Sequence, residues 1–252
     1  MGWSGRAQTV ERQRILKVYG IGESEIARIL KDFSRGKENV RLETCVRFPE
    51  NHITIRVSGD DEPSVSGLLH GVEEEIRTLM GPCIFATGDQ RMEEVLGERL
   101  RERHLTISVA ESCTGGLIGH LLTNVPGSSD YFLGGVIVYS NEAKINLLEV
   151  SLKTLERNGA VSDATVQEMA KGVRKRFDSN IGLSVSGIAG PDGGTKEKPV
   201  GTVHVGLAAS DKVFSGKYRF QGTRKQIKMN TAMMALDWVR RYLHEDPFLS
   251  GL

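Results

Sequence analysis

The succession of apolar runs, helical periodicities and glycine turns predicts an α/β protein: a three-layer sheet covered by helices on both faces, preceded by a small α+β domain. Three observations carry this. Residues 1–87 contain strand-like and helix-like stretches in β-α-β-β-α order. Residues 88–252 alternate amphipathic helices with nearly continuous apolar strands, the pattern of a sheet buried on both faces. A chain of 252 residues is also long enough for one large and one small domain.

In the first part, "RILKVYGIG" reads as a strand ending at a glycine turn, and "ESEIARILKDF" as a helix with Ile26, Ile29, Leu30 and Phe33 on one face. "VRLETCVRF" and "HITIRVSG" alternate as half-buried strands do, with "PEN" as the turn between them. "SVSGLLHGVEEEIRTLM" closes the unit as a helix, with Leu68, Leu69, Val72, Ile76 and Leu79 expected inward. "GPCIFATGD" is read as a connection.

The second part opens with the helix "DQRMEEVLGERLRERH" and the strand "LTISVAES". The helix "GGLIGHLLTNV" stops at Pro126, and "GGVIVYS" is a strand. "NEAKINLLEV" and "SDATVQEMAKGVRKRF" are helices flanking the turn "RNGAV". "IGLSVSG" and "VGTVHVGLAA" are strands around a glycine-rich loop, "VFSGKYRF" is another, and "TRKQIKMNTAMMALDWVRRYL" is a long final helix.

Composition excludes several classes. A net charge of +1 gives no electrostatic case for nucleic acid or an acidic membrane surface. No apolar run reaches the length of a bilayer span, and the first residues have no signal-peptide core, so a cytoplasmic protein is expected. Cys45, Cys83 and Cys113 form no CxxC, and the six histidines show no metal-ligand spacing, so neither a metal nor a cofactor is expected.

In open α/β sheets, ligands collect beyond the carboxyl ends of strands. Four such ends carry unusual polar residues. In "AESCTGG", Ser112 follows the strand, and Gly115 and Gly116 permit a tight turn. Ser112 reads either as a helix N-cap or as a nucleophile, which needs a neighbouring base. Cys113 and Thr114 belong to the same turn, and the helix N-terminus after Ser112, chiefly the N–H groups around Cys113 and Thr114, is the expected oxyanion site. In "VIVYSNEAKINLL", Asn141 reads as an N-cap, which puts Lys144 in a first turn, with Tyr139 at the strand end. A surface lysine or, if buried, a lysine of lowered pKa suited to act as a base both fit. In "SVSGIAGPDGGTKEKPVG", Ser186 ends a strand and Gly187 begins the glycine-rich loop, which is either a ligand-approaching loop or a hairpin connection. In "QGTRKQIK", Arg224 and Lys225 open a helix and suit a phosphate or a solvated basic face.

The segments "AESCTGG", "YSNEAK", "GAVS", "SGIAGPDGG" and "KPVGTVHVG" resemble the C-terminal domain of the CinA family and the stand-alone nicotinamide mononucleotide deamidases, over about residues 89–245. "LKVYGIGESEIARIL" resembles the KH-like middle domain of longer CinA proteins, although "GIGE" stands where a GxxG loop would be needed for RNA binding. The amino-terminal molybdopterin-binding-like domain of long members has no counterpart in these residues, so its metal-dependent activity is not carried over.

The resemblance implies hydrolysis of the carboxamide of nicotinamide mononucleotide to nicotinate mononucleotide and ammonia, within pyridine nucleotide recycling and without a metal. Ser112 would be the nucleophile, Lys144 its base and Tyr139 an assistant. Cys113, Thr114, Gly115, Gly116, Asn141, Ser186 and Gly187 would contact the substrate, and Arg224 would hold its phosphate. The family also suggests a homodimer or higher homo-oligomer. The alternative is a non-catalytic nucleotide-binding or assembly module.

Overall fold

The computed structural model describes residues 9–210 and 212–245. The chain divides into two compact units, Met1–Gln90 and Arg91–Leu252.

The first unit runs β1 (Val10–Val18), α1 (Glu23–Leu30), β2 (Val40–Arg47), β3 (Glu50–Gly59), α2 (Glu62–Met80) and β4 (Ile84–Thr87). Its antiparallel sheet has the order β2-β3-β1-β4. Ile53, Ile55 and Val57 alternate inward along β3 and meet Ile26 and Leu30 of α1 and the inner stripe of α2 in one core. That stripe is Val65, Leu69, Val72, Ile76 and Met80. Leu68 only packs at its margin, and Leu79, expected inward, is 51% exposed. The stripe follows the period through Val65 and Met80, which turns Leu79 outward. Asp61 caps α2 by accepting from Ser64 N at 2.9 Å. Residues 84–87, read from sequence as connection, pair with β1 as a strand too short to display a period.

The second unit runs α3 (Met92–Glu102), β5 (Ile107–Glu111), α4 (Leu117–Thr123), β6 (Phe132–Ile137), α5 (Asn141–Leu148), α6 (Leu152–Asn158), α7 (Asp163–Phe177), β7 (Ile181–Gly187), β8 (Thr202–Ala209), β9 (Lys212–Arg219) and α8 (Arg224–Leu243). The sheet order is β6-β5-β7-β8-β9. Strands β6, β5 and β7 are parallel, and β8 and β9 are antiparallel additions. Helix α7, with α5 and α6 against it, covers one face; α8, with α3 and α4, covers the other. All residues of β5 and β8 are buried, as a sheet between two helical layers requires. Helix α7 lies unusually close. A Cβ on Gly182 would stand 2.1 Å from Ala170 O, and one on Gly206 2.5 Å from Val166 O, so any side chain there would push the helix away. Helix α6 is a short addition that the sequence pattern does not reveal. Its cap, Ser151, accepts from Thr154 N at 3.3 Å.

The parallel arrangement brings the carboxyl ends of β5, β6 and β7 to one edge of the sheet, where Ser112, Tyr139 and Ser186 emerge. Among the described residues no helix is long and apolar enough to cross a membrane.

Candidate active site

The turn after β5 is shaped by a carboxylate that the sequence reading passes over. Glu111, the last residue of the strand, is buried and accepts hydrogen bonds from Gly116 N at 2.9 Å, Ile118 N at 3.1 Å and Gly119 N at 2.8 Å. Three donors at the start of α4 are thereby satisfied by one side chain, which also places negative charge at the positive end of the helix. Gly115 and Gly116, with φ of 62° and 96°, make the bend.

At the start of α4 the N–H groups of Gly116, Ile118 and Gly119 are occupied by Glu111. Ser112 does not cap the helix: the N-cap position is Gly116, without a side-chain cap. The N–H groups of Cys113, Thr114 and Gly115 take no part in the Glu111 bonds.

Ser112 is anchored by its own N–H, which donates to Val185 O on β7 at 3.1 Å. Its hydroxyl faces Lys144, whose Nζ lies 3.4 Å away. Lys144 is 1% exposed. Its remaining polar neighbours are backbone carbonyls: Val138 O at 2.8 Å, Tyr139 O at 3.4 Å and Ser140 O at 3.5 Å. No carboxylate balances the charge among the described residues. Burial therefore pushes its pKa below the ordinary lysine value, while the adjacent Cys113 thiol acts weakly the other way. The N-cap of α5 is Ser140, which accepts from Ala143 N at 3.0 Å, and Asn141 is the exposed first helical residue. This corrects the cap by one residue and leaves Lys144 within the first turn.

Cys113 is buried, and desolvation pushes its thiol up to about 12, which favours the protonated form beside the serine. Thr114 is fully buried, and its Oγ1 has no hydrogen-bond partner among the described residues. A buried orphan hydroxyl costs stability unless something else satisfies it.

The other expected residues divide. Tyr139 is 64% exposed, and its hydroxyl accepts from Arg224 Nη2 at 3.1 Å. Arg224 also donates through Nη1 to Gly190 O at 2.6 Å, tying the glycine-rich loop to the tyrosine. Ser186 is buried, and its hydroxyl donates to Ala160 O at 2.7 Å, in the α6–α7 connection. Gly187 ends β7 opposite Val203. A histidine–carboxylate pair, not anticipated from sequence, joins His204 Nδ1 to Asp163 Oδ1 at 2.8 Å, and His204 lies opposite Ser186 in the sheet register. With the Ser186 proton given to Ala160, these residues do not form a working triad.

Glu111 and the Val138 carbonyl are the site groups that sequence reading misses. Glu111 is signalled by a charge inside an apolar strand. The carbonyl has no side-chain signal. Among the described residues no three His, Cys, Asp or Glu side chains cluster as a metal would need.

The fold and site define a class: a three-layer α/β unit with a serine and a desolvated lysine at its strand ends, accompanied by a small α+β unit. The CinA C-terminal domain model matches residues 89–243, and the KH domain model of the damage-inducible protein CinA matches residues 13–86. The chain belongs to the CinA family. It is 41% identical to a CinA-like protein of Geotalea uraniireducens over 94% of this chain and 57% of that one. It is 43% identical to a competence-damage inducible protein of Clostridium acetobutylicum over 90% of this chain and 56% of that one. The chain thus spans little more than half the length of these relatives. Among solved structures, the competence/damage inducible protein CihA of Agrobacterium tumefaciens superposes with a TM-score of 0.58 at 38% identity, covering 62% of this chain and 97% of its own. A CinA superfamily protein of Klebsiella pneumoniae gives 0.60 at 31% identity, covering 62% and 99%.

Proposed function

We propose that the second unit is a metal-independent amidohydrolase that converts nicotinamide mononucleotide to nicotinate mononucleotide and ammonia. The observation that carries this reading is the pairing of Ser112 Oγ with Lys144 Nζ at 3.4 Å, with the serine released from capping by Glu111 and the lysine buried without a carboxylate.

Neutral Lys144 takes the proton of Ser112 as its oxygen bonds to the carboxamide carbon. The Val138 carbonyl then holds one N–H of the resulting ammonium. The tetrahedral oxyanion is met by the N–H groups of Cys113 and Thr114, with the unpartnered Thr114 hydroxyl as a further donor. Lys144 returns the proton to the departing nitrogen, the C–N bond breaks and ammonia leaves an ester on Ser112. Water, deprotonated by Lys144, attacks that ester; the carbonyl–oxygen bond to Ser112 breaks, the serine regains its proton and the carboxylate product departs. Tyr139, steadied by Arg224, assists at the mouth of the site.

The test is ammonia release from nicotinamide mononucleotide, without added metal, by the native chain and by Ser112→Ala. Release that vanishes in a folded variant supports the reading. A folded native chain that releases none refutes it, and favours the non-catalytic nucleotide-binding module.

A further inference from the structure

The turn after Ser112 has two ends with different surroundings. Its inner end, Cys113 and Thr114, is buried, whereas Gly115 is exposed. At the exposed end stands a cation that no motif marks. Lys228 Nζ lies 3.7 Å from the place a Cβ on Gly115 would occupy, and its charge reaches the Cys113 thiol.

Lys228 is half-buried on α8 and has no hydrogen bond or ion pair among the described residues. Arg224, one turn earlier on the same helix face, already spans Tyr139 and Gly190. Two like charges at this spacing repel each other. Glu111, the carboxylate of this turn, directs its oxygens at Gly116, Ile118 and Gly119. An open N–H at Gly115 and a free ammonium beside it are the donors a phosphate monoester takes. Gly115 matters here because a side chain would stand between the backbone and Lys228.

We propose that Lys228, with the backbone of Gly115, holds the phosphate of the substrate, and that Arg224 acts chiefly by fixing Tyr139 and the glycine-rich loop. The inference rests on the amidase reading for its substrate. It divides the turn by function: the buried end faces the carboxamide and the exposed end faces the phosphate, which lies across the ribose from the reacting ring. Lys228 is then the residue that separates a mononucleotide from its riboside.

The experiment compares kcat/KM for nicotinamide mononucleotide and nicotinamide riboside in the native chain, Lys228→Gln and Lys228→Arg. Loss of one charge-assisted contact predicts that Lys228→Gln lowers the preference for the phosphorylated substrate by about 10-fold or more. Lys228→Arg should keep most of that preference. An unchanged preference, or equal losses for both substrates, overturns the inference. Titration with ribose 5-phosphate in a calorimeter separates this from the amidase reading, because it needs no turnover. Binding by the native chain that is lost in Lys228→Gln upholds the phosphate seat even for a chain that releases no ammonia. Equal binding by the two, or none by the native chain, refutes it.

Discussion

Each unit buries a lysine, and the two are treated in opposite ways. Lys17 in β1 is 8% exposed and meets Glu50 at 3.0 Å, and Glu50 also contacts His52 Nε2 at 2.8 Å. Lys144 is more deeply buried and meets only carbonyls and a serine hydroxyl. A carboxylate partner offsets the desolvation of a buried ammonium. Without one, the neutral amine is favoured, and a neutral amine beside a hydroxyl is a base. The same residue type is thus paired with a carboxylate in the first unit and left without one in the second, where we propose that it acts as a base.

Substituting each lysine by methionine breaks the comparison most directly. Lys144→Met removes the proposed base and should lower turnover by about 100- to 10,000-fold. It should leave thermal stability unchanged or raised, since an apolar side chain replaces an uncompensated amine. Lys17→Met should do the reverse. It leaves Glu50 without its cation in a partly buried position and should cost about 1–3 kcal/mol in denaturant unfolding. Comparable stability losses in both variants would dissolve the distinction.

The pH dependence sharpens it. Lys144 has a lowered pKa in the folded chain, against a value of 10.5 for an unperturbed lysine. Turnover should therefore fall as pH drops through the lowered value and the amine becomes ammonium. For stability, the unfolded chain binds this proton more readily, so Lys144 destabilises the fold below its folded pKa. That cost is relieved as pH rises toward 10.5. Lys144→Met should remove this component from the difference in unfolding free energy measured across alkaline pH. A difference that stays flat would place the lysine in water.

A smaller loss of turnover is expected at Glu111. Glu111→Gln keeps the shape but leaves one amide nitrogen facing backbone donors, at a cost of about 1–3 kcal/mol. Its loosened turn should reduce turnover less than loss of Lys144 does. Steady-state kinetics with chemical unfolding measures both.

What the sequence made legible was whatever has a local signature. The long strands and helices show their periods, and Ser112 and Lys144 stand at strand–turn–helix junctions that short motifs mark. Residues 84–87 and 152–158 are too short to show a period, so β4 and α6 escape. Glu111 escapes for another reason: a carboxylate in an apolar strand acquires its meaning only when α4 folds back over it. The partners of Ser186 and Arg224, Ala160 and Gly190, are carbonyls supplied by tertiary contact, and no side-chain pattern announces a carbonyl.

The central claim is that Ser112 is made nucleophilic by a neutral, buried Lys144. Rapid quenching of the native chain during turnover of nicotinamide mononucleotide, followed by peptide mass spectrometry, tests it at the reacting atom. The account predicts a nicotinate mononucleotide ester on the peptide carrying Ser112, absent from Ser112→Ala. Full turnover by Ser112→Ala, or an adduct on Cys113 instead, would contradict it.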